Sequence, residues 1–385
     1  MEKEFVRLDF YCDSVRDGTH DTPKPTEQGM PLVTSKALRG GKVFLDECYL
    51  VSQKDFDKIN KRSLVEKWDV LMTMIGTVGR LLLVKDTPHY AIKNIALFKI
   101  GNELKAKWLY YYLLMDSVQN YFEMIANGTS QHFIGLGHMR KLKIPNVTKS
   151  SGKIVEILST YDSLIENNAK RIRLLEKMAE NLYKEWFVRF RFPGHENVEM
   201  ENGLPKGWKR GSLSDVCEFK RGKNITSSEM QEGNVPVISA GLEPSGYHSC
   251  SNVRGVNVTM SSSGANAGYI AIHYSDIWAA DCSYIEESTT GNIYYVYELL
   301  NNIRTVINNF QRGAAQPHVY PKDVNRIKLI LPSKELMLKA NGRLEIMHKE
   351  IYNLQKQNSL LARQRDLLLP RLMSGKLEVK EELLE

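Results

Sequence analysis

The side chains that could do chemistry lie in short loops, and they offer hydrogen bonds and positive charge. Arg16-Asp17-Gly18-Thr19-His20 sets a cation and hydrogen-bonding groups around a glycine. Residues 73–80, TMIGTVGR, place Gly76 and Gly79 where a backbone can approach a ligand closely. Thr77 lies between them, and Arg80 could reach a phosphate or a guanine edge. A plain hairpin turn explains the same two glycines equally well. Residues 261–268, SSSGANAG, are the counterpart in the second half of the chain. There Ser263 offers a hydroxyl and Asn266 could pair with adenine, although asparagine in a glycine-rich turn commonly serves the backbone. A third loop runs from Ser239-Ala240-Gly241 to Ser245-Gly246-Tyr247. Lys36, Arg221, Lys223, Arg254 and Arg312 are candidate phosphate contacts as a set; each alone reads as an ordinary surface cation.

Catalytic patterns are missing from the sequence. It has no Asn/Asp-Pro-Pro-aromatic run of the kind that holds a target base for amino methylation. It also lacks a GxxxxGK[ST] phosphate loop and an HExxH metal pair. Gly135-Leu136-Gly137 begins a dinucleotide fingerprint, but Arg140 stands where the third glycine belongs. Asp55-Phe56-Asp57-Lys58 reads as a solvated surface before it reads as a nuclease cluster. The nine histidines show no i, i+4 ligand pairing, and the five cysteines form no CxxC. Reduced thiols are therefore expected, with no disulfide framework and no bound metal.

The elements that must position these loops occur twice. GTSQHFIGLGHMRKLKI begins at Gly128 and GAAQPHVYPKDVNRIKL at Gly313, a constant offset of 185 residues that also relates Gln131 to Gln316. Short apolar runs at 70–72 and 81–84 predict buried strands, Lys107 to Tyr121 a helix, and 142–144 a strand. In the second half 269–272 predicts a strand and 293–310 a helix. A long heptad seam follows each repeat. The first is Ile154, Leu158, Tyr161, Ile165, Asn168, Ile172, Leu175, Ala179, Leu182 and Trp186. The second is Leu344, Met347, Ile351, Leu354, Asn358, Leu361, Arg365, Leu368 and Leu372. Parallel pairing would set each seam asparagine against an aliphatic residue. Antiparallel pairing places Asn168 opposite Asn358 and predicts a pseudo-twofold arrangement with one polar layer; the alternative is that both asparagines face solvent near a helix bend, with no partnership. Each helix of some 36 residues is about 54 Å long. Pro370 is expected to end or kink the second.

The expected organisation is α+β: a first module at 1–152, a helix at 153–192, a linker at 193–204, a second module at 205–333, a helix at 334–374 and a tail at 375–385. The net charge of +7 divides into +5, −1, +1 and +2 over residues 1–152, 153–204, 205–333 and 334–385. A basic excess suits a polyanionic partner, and it is also common in proteins without one. No apolar run is long enough to cross a bilayer and no signal peptide opens the chain, so a cytoplasmic protein is expected.

Several motifs in this order resemble the DNA-specificity subunit of type I restriction-modification systems. They are RDGTHDTPKPTEQGMPLVTSKAL (16–38), DVLMTMIGTVGR (69–80), GTSQHFIGLGHMRKLKIP (128–145), LYKEWFVRFRFPG (182–194), LPKGWKRGSLSDV (204–216), VPVISAGLEPSGY (235–247), GAAQPH (313–318) and LLLPRLMSGKL (367–377). The resemblance implies two target recognition domains in tandem, separated by two helices in an antiparallel coiled coil. Each domain would read half of a split, asymmetric double-stranded DNA site. The helices would dock two modification subunits, with restriction subunits joining the assembly. Gln131, Gln316 and His318 join the expected DNA contacts, and Phe187 is a candidate docking residue whose alternative is core packing. The chain itself would bind no cofactor; S-adenosylmethionine, ATP and Mg are expected on the partners. One departure concerns Gln131-His132-Phe133, which replaces the family's Gln-Pro-His. With Leu136-Gly137 in place of Pro321-Lys322, it predicts a differently shaped backbone and argues against carrying a contact from His318 to Phe133. The competing expectation is a coiled-coil scaffold that organises two copies of a protein partner without DNA.

Overall fold

The computed structural model describes residues 4–126, 132–313 and 316–379. Two compact units emerge, residues 1–164 with 360–385 and residues 165–359. Each long helix therefore contributes one end to each unit.

In the first unit β1 (Phe5–Arg7) pairs antiparallel with β11 (Lys143–Pro145), tying the two ends of the module together. A four-stranded sheet has the order β2 (Ser14–Asp17), β10 (Ile95–Lys99), β7 (Val70–Thr73), β8 (Leu81–Leu83). Strands β7 and β8 are buried on both faces, which is why they read as continuous apolar runs. A smaller sheet has the order β6 (Tyr49–Val51), β3 (Met30–Val33), β9 (Ala91–Ile92). Between these strands lie the hairpin of β4 (Leu38–Arg39) and β5 (Lys42–Val43) and the helix α2 (Gln53–Ser63). Ser52 caps α2 by accepting from the Asp55 amide at 3.1 Å. Helix α1 (Leu8–Tyr11) precedes β2. The single helix expected over 107–121 is two, α3 (Glu103–Leu113) and α4 (Asp116–Ile125), followed by α5 (Leu136–Lys141).

The second unit repeats this plan. Strand β14 (Lys209–Ser212) pairs with β22 (Lys328–Leu331) as β1 does with β11. The four-stranded order is β15 (Lys220–Arg221), β21 (Cys282–Glu286), β18 (Asn257–Ser261), β19 (Ile270–His273). The smaller sheet is β17 (Gly246–His248), β16 (Val235–Ile238), β20 (Trp278–Ala279). A short hairpin of β12 (Met200–Glu201) and β13 (Leu204–Pro205) opens the module. Helix α7 (Glu287–Thr290) precedes α8 (Ile293–Asn302) and α9 (Arg304–Asn308), which replace the one helix expected over 293–310; α10 (Pro321–Val324) follows. Only eight residues join β17 to β18, so among the described residues nothing in this unit corresponds to α2.

Helix α6 (Ser151–Tyr183) runs into a π-helical turn at Lys184–Val188, and α11 spans Lys334–Ser374. Pro370 does not end α11. Leu369, Leu372 and Met373 are buried in the first unit's core, and that burial holds the last turn past the missing donor.

Within the second unit the helices run antiparallel. Arg171 pairs with Glu350 at 2.7 Å, Asn168 donates to Gln357 Oε1 at 3.3 Å, and Asn358 Nδ2 donates to the Ile165 carbonyl at 3.3 Å. The expected Asn168–Asn358 bond is replaced by these two: Asn358 falls opposite Ile165, and the two amides reach different partners. Ile351 and Leu354 are buried there, while Ile165, Ile172 and Leu175 are half-buried. Within the first unit Arg365 Nη1 donates to Asp162 at 2.6 Å, and Asp162 also accepts from the Tyr111 hydroxyl at 2.7 Å. Leu361 is half-buried in that unit.

Candidate nucleic-acid interface

The equivalent loops of the two modules can be superposed hydrogen bond by hydrogen bond. In the first, Gly76 N donates to the His132 carbonyl and Ile134 N to the Met74 carbonyl, both at 3.0 Å. In the second, Gly264 N donates to the Pro317 carbonyl and Val319 N to the Ser262 carbonyl, both at 3.0 Å. The bridges Ile75–Phe133 and Ser263–His318 match. The different shape expected at the Phe133 segment is therefore a correction. Leu136 and Pro321 both start a short helix, because proline is well tolerated in a first helical turn and leucine is a good helix former.

A second correspondence follows the edge strands. Gly18 N donates to the Ile95 carbonyl and Thr19 N to the Ile92 carbonyl. Gly222 N donates to the Cys282 carbonyl and Lys223 N to the Ala279 carbonyl. Thr19 and Lys223 thus hold the same position. Both glycines are needed for close approach, since a Cβ would lie 2.3 Å from the Ile92 oxygen or 2.4 Å from the Ala280 oxygen.

In the first unit Thr19 and His20 face α2 across a cleft of about 420 Å³ that is also lined by Lys58 and Arg62. Buried Asp17 ties the walls together by accepting from Arg62 and from His20 Nε2, the latter at 2.9 Å; His20 Nδ1 lies 2.7 Å from Asn94 Oδ1. Arg16 is exposed and donates to the Arg62 carbonyl at 3.0 Å. Thr77 is exposed at the β7–β8 turn. Arg80 is half-buried, with a long 3.4 Å contact to the Leu38 carbonyl. Lys36 is exposed. Gln131 lies outside the described residues.

In the second unit the structure gathers Ser263, Arg312 and His318. Arg312 and His318 exchange both backbone hydrogen bonds at 2.8 and 2.9 Å. The Arg312 guanidinium is largely exposed and anchored to Asp323 at 2.9 Å. The His318 ring stacks on Tyr320. Ser263 departs from expectation: it is buried and donates to Asp281 at 2.5 Å, so its hydroxyl is engaged in shaping the loop. Asn266 is half-buried, with its amide 3.5 Å from the Ala240 carbonyl. Arg221, Lys223, Arg254 and Gln316 are exposed. Phe187 is buried among Tyr183, Tyr295 and Trp208, which assigns it to packing and removes it from the docking candidates.

Sequence reasoning missed Arg62 and read Lys58 as part of a solvated surface, whereas both line the cleft. The Ser52-x-x-Asp55 cap was a visible sign of α2, but nothing local tells which loop that helix faces. Among the described residues no group of three or more His, Cys, Asp or Glu could hold a metal ion. Among them, too, no helix is long and apolar enough to cross a membrane.

The family model for the type I restriction modification DNA specificity domain matches residues 18–177 and again 205–358. A type I restriction enzyme MjaIX specificity subunit from Methanocaldococcus jannaschii is 25% identical over 343 residues, covering 82% of this chain and 79% of its own. The HindI specificity subunit from Haemophilus influenzae is 22% identical over 429 residues, covering 86% and 91%. The crystal structure of a type I restriction-modification S subunit from M. genitalium aligns over 97% of this chain and 96% of its own, with a TM-score of 0.60 and 21% identity.

Proposed function

Because the chain belongs to the type I restriction-modification DNA specificity family, we propose that each of its two modules reads one half of a split, asymmetric double-stranded DNA site. Helices α6 and α11 set the separation of the halves and dock two modification subunits. The observation that carries this reading is the matched loop framework. The same backbone bonds present Thr19 or Lys223, and Phe133 or His318, so one scaffold offers different side chains to two different half-sites. Docking of two identical partners is supported by Leu174 and Leu360. They are 186 residues apart, occupy equivalent turns of the two helices, and are 65% and 59% exposed.

On this reading the chain is non-catalytic. S-adenosylmethionine, ATP and Mg belong to the modification and restriction partners. The test is methylome sequencing of a host expressing this chain with its modification subunit, against a host lacking the chain. A new split methylated motif is expected, and exchanging residues 205–333 for another module should change one half only. A soluble complex that yields no motif, and whose binding to its partner is insensitive to salt, would replace DNA reading with a protein scaffold.

A further inference from the structure

The Phe133 position carries a consequence for specificity that rests on the DNA-reading function. Phe133 and His318 occupy one position in the shared framework. Each sits in a bridge to the β7–β8 or β18–β19 loop, flanked on both sides by equivalent backbone bonds. The side chains differ in what they can offer. His318 brings ring nitrogens that can hydrogen-bond a base edge. Phe133 offers no polar atom, yet 41% of it is exposed. A Cβ added to Gly135 would lie 3.6 Å from the Phe133 ring, so the ring rests over that glycine with its other surface open. Exposed Gly76, Thr77 and His132 adjoin it. The apolar neighbours Ile75, Val78, Ile134 and Leu136 all pack into or against the first unit's core, whereas Phe133 is not part of that cluster and keeps its ring at the surface.

We propose that Phe133 is a specificity-determining residue that reads the C5-methyl group of a thymine in the first half-site, whereas His318 reads the second half-site through hydrogen bonds. In the major groove thymine alone among the four bases presents a methyl group, and apolar side chains are its natural partners. The equivalent loops thus read by opposite chemistry on the same backbone. Phe133 is a substitution of reading mode and not a lost contact.

The test uses the complex of this chain with its modification subunits and duplexes carrying its own methylation motif. Each thymine of the first half-site is replaced, one at a time, by deoxyuridine, which lacks only the methyl group. One replacement is expected to weaken binding by wild-type complex about fourfold, the value of one buried methyl group. Phe133→Ala should bind the unmodified duplex more weakly and be indifferent to that same replacement. Phe133→Leu should retain part of the penalty. Thermal melting of each variant separates loss of contact from loss of folding, and Phe133→Leu, which keeps apolar cover over Gly135, controls for any stability lost in Phe133→Ala. A first half-site without thymine overturns the proposal, as does a scan with no sensitive thymine or a penalty that survives in Phe133→Ala. Failure of the wild-type complex to prefer its own motif would instead count against the DNA-reading function itself.

Discussion

Replacing Asn358 by leucine should stabilise the protein. Asn358 is half-buried in the helix pair of the second unit, one turn from buried Leu354. Its Nδ2 makes a long 3.3 Å bond to the Ile165 carbonyl, while its Oδ1 is buried with no hydrogen-bond partner. Relieving an unsatisfied buried acceptor is worth about 1–3 kcal/mol. Losing the amide bond costs about 0.5–1.5 kcal/mol, and its length argues for the lower end. The Ile165 carbonyl lies inside α6, where it accepts from its own helix, so it is not orphaned. Leucine also extends the apolar seam between Leu354 and Leu361. The net gain is about 1 kcal/mol, or about 2–4 °C in Tm for a unit of this size. Urea titration gives the midpoint and slope: a higher midpoint with an unchanged slope is expected. The same variant tests whether the asparagine fixes register, through the spacer length of the methylated motif, which should not change. Destabilisation by 1 kcal/mol or more would refute the account, because it would mean that Oδ1 is satisfied and that the polar layer contributes net stability.

Two further outcomes follow from charged groups in the second unit. Burial pushes His273 down from 6.5 to about 4, with its Nε2 2.9 Å from the Thr259 hydroxyl. The unfolded chain therefore binds a proton that the folded unit refuses. Stability is complete above pH 6.5, falls as the pH drops toward 4, and at pH 5.5 is lower by at most about 1.4 kcal/mol. Melting curves of His273→Gln should lose that part of the acid sensitivity; an unchanged pH profile would contradict it. Arg221→Gln with Lys223→Gln should weaken binding to cognate and unrelated duplexes alike and lower the salt slope by about 2, read from binding isotherms across salt concentrations. A changed motif with an unchanged slope would instead make these residues base readers.

Much of the fold was legible because its signals are periodic. The repeat at Gly128 and Gly313 announced duplication, and apolar spacing located both long helices. Breaks in helices were harder. Met115 is an N-cap with no side-chain capping bond, so nothing in its type marks the division of α3 from α4. Burial overrode local rules at Pro370, which the core under Leu369, Leu372 and Met373 carries through. The site was legible by residue type and illegible by orientation. Ser263 and Arg312 both look like contacts in sequence. Only the fold shows that the serine is buried against Asp281 while the arginine, tethered to Asp323, keeps its guanidinium in solvent.

Duplication explains why the loops can diverge while the framework stays fixed. The bonds that shape the reading loops run from backbone to backbone: Gly76 to His132, Gly264 to Pro317, Thr19 to Ile92, Lys223 to Ala279. Nearly any side chain at 133 or 318, or at 19 or 223, leaves those bonds intact. The exceptions are the positions where backbones touch, and there both modules hold glycine, at 18 and 222. Substitution is therefore inexpensive where bases would be read and prohibitive where the loop is anchored. Larger additions obey the same rule. Among the described residues helix α2 has a counterpart nowhere in the second unit, and it joins the edge strand through the Arg62–Asp17 pair without altering the four-strand order. A specificity protein needs this separation, since a change of target that disturbed the anchoring bonds would lose the fold before it gained a new sequence.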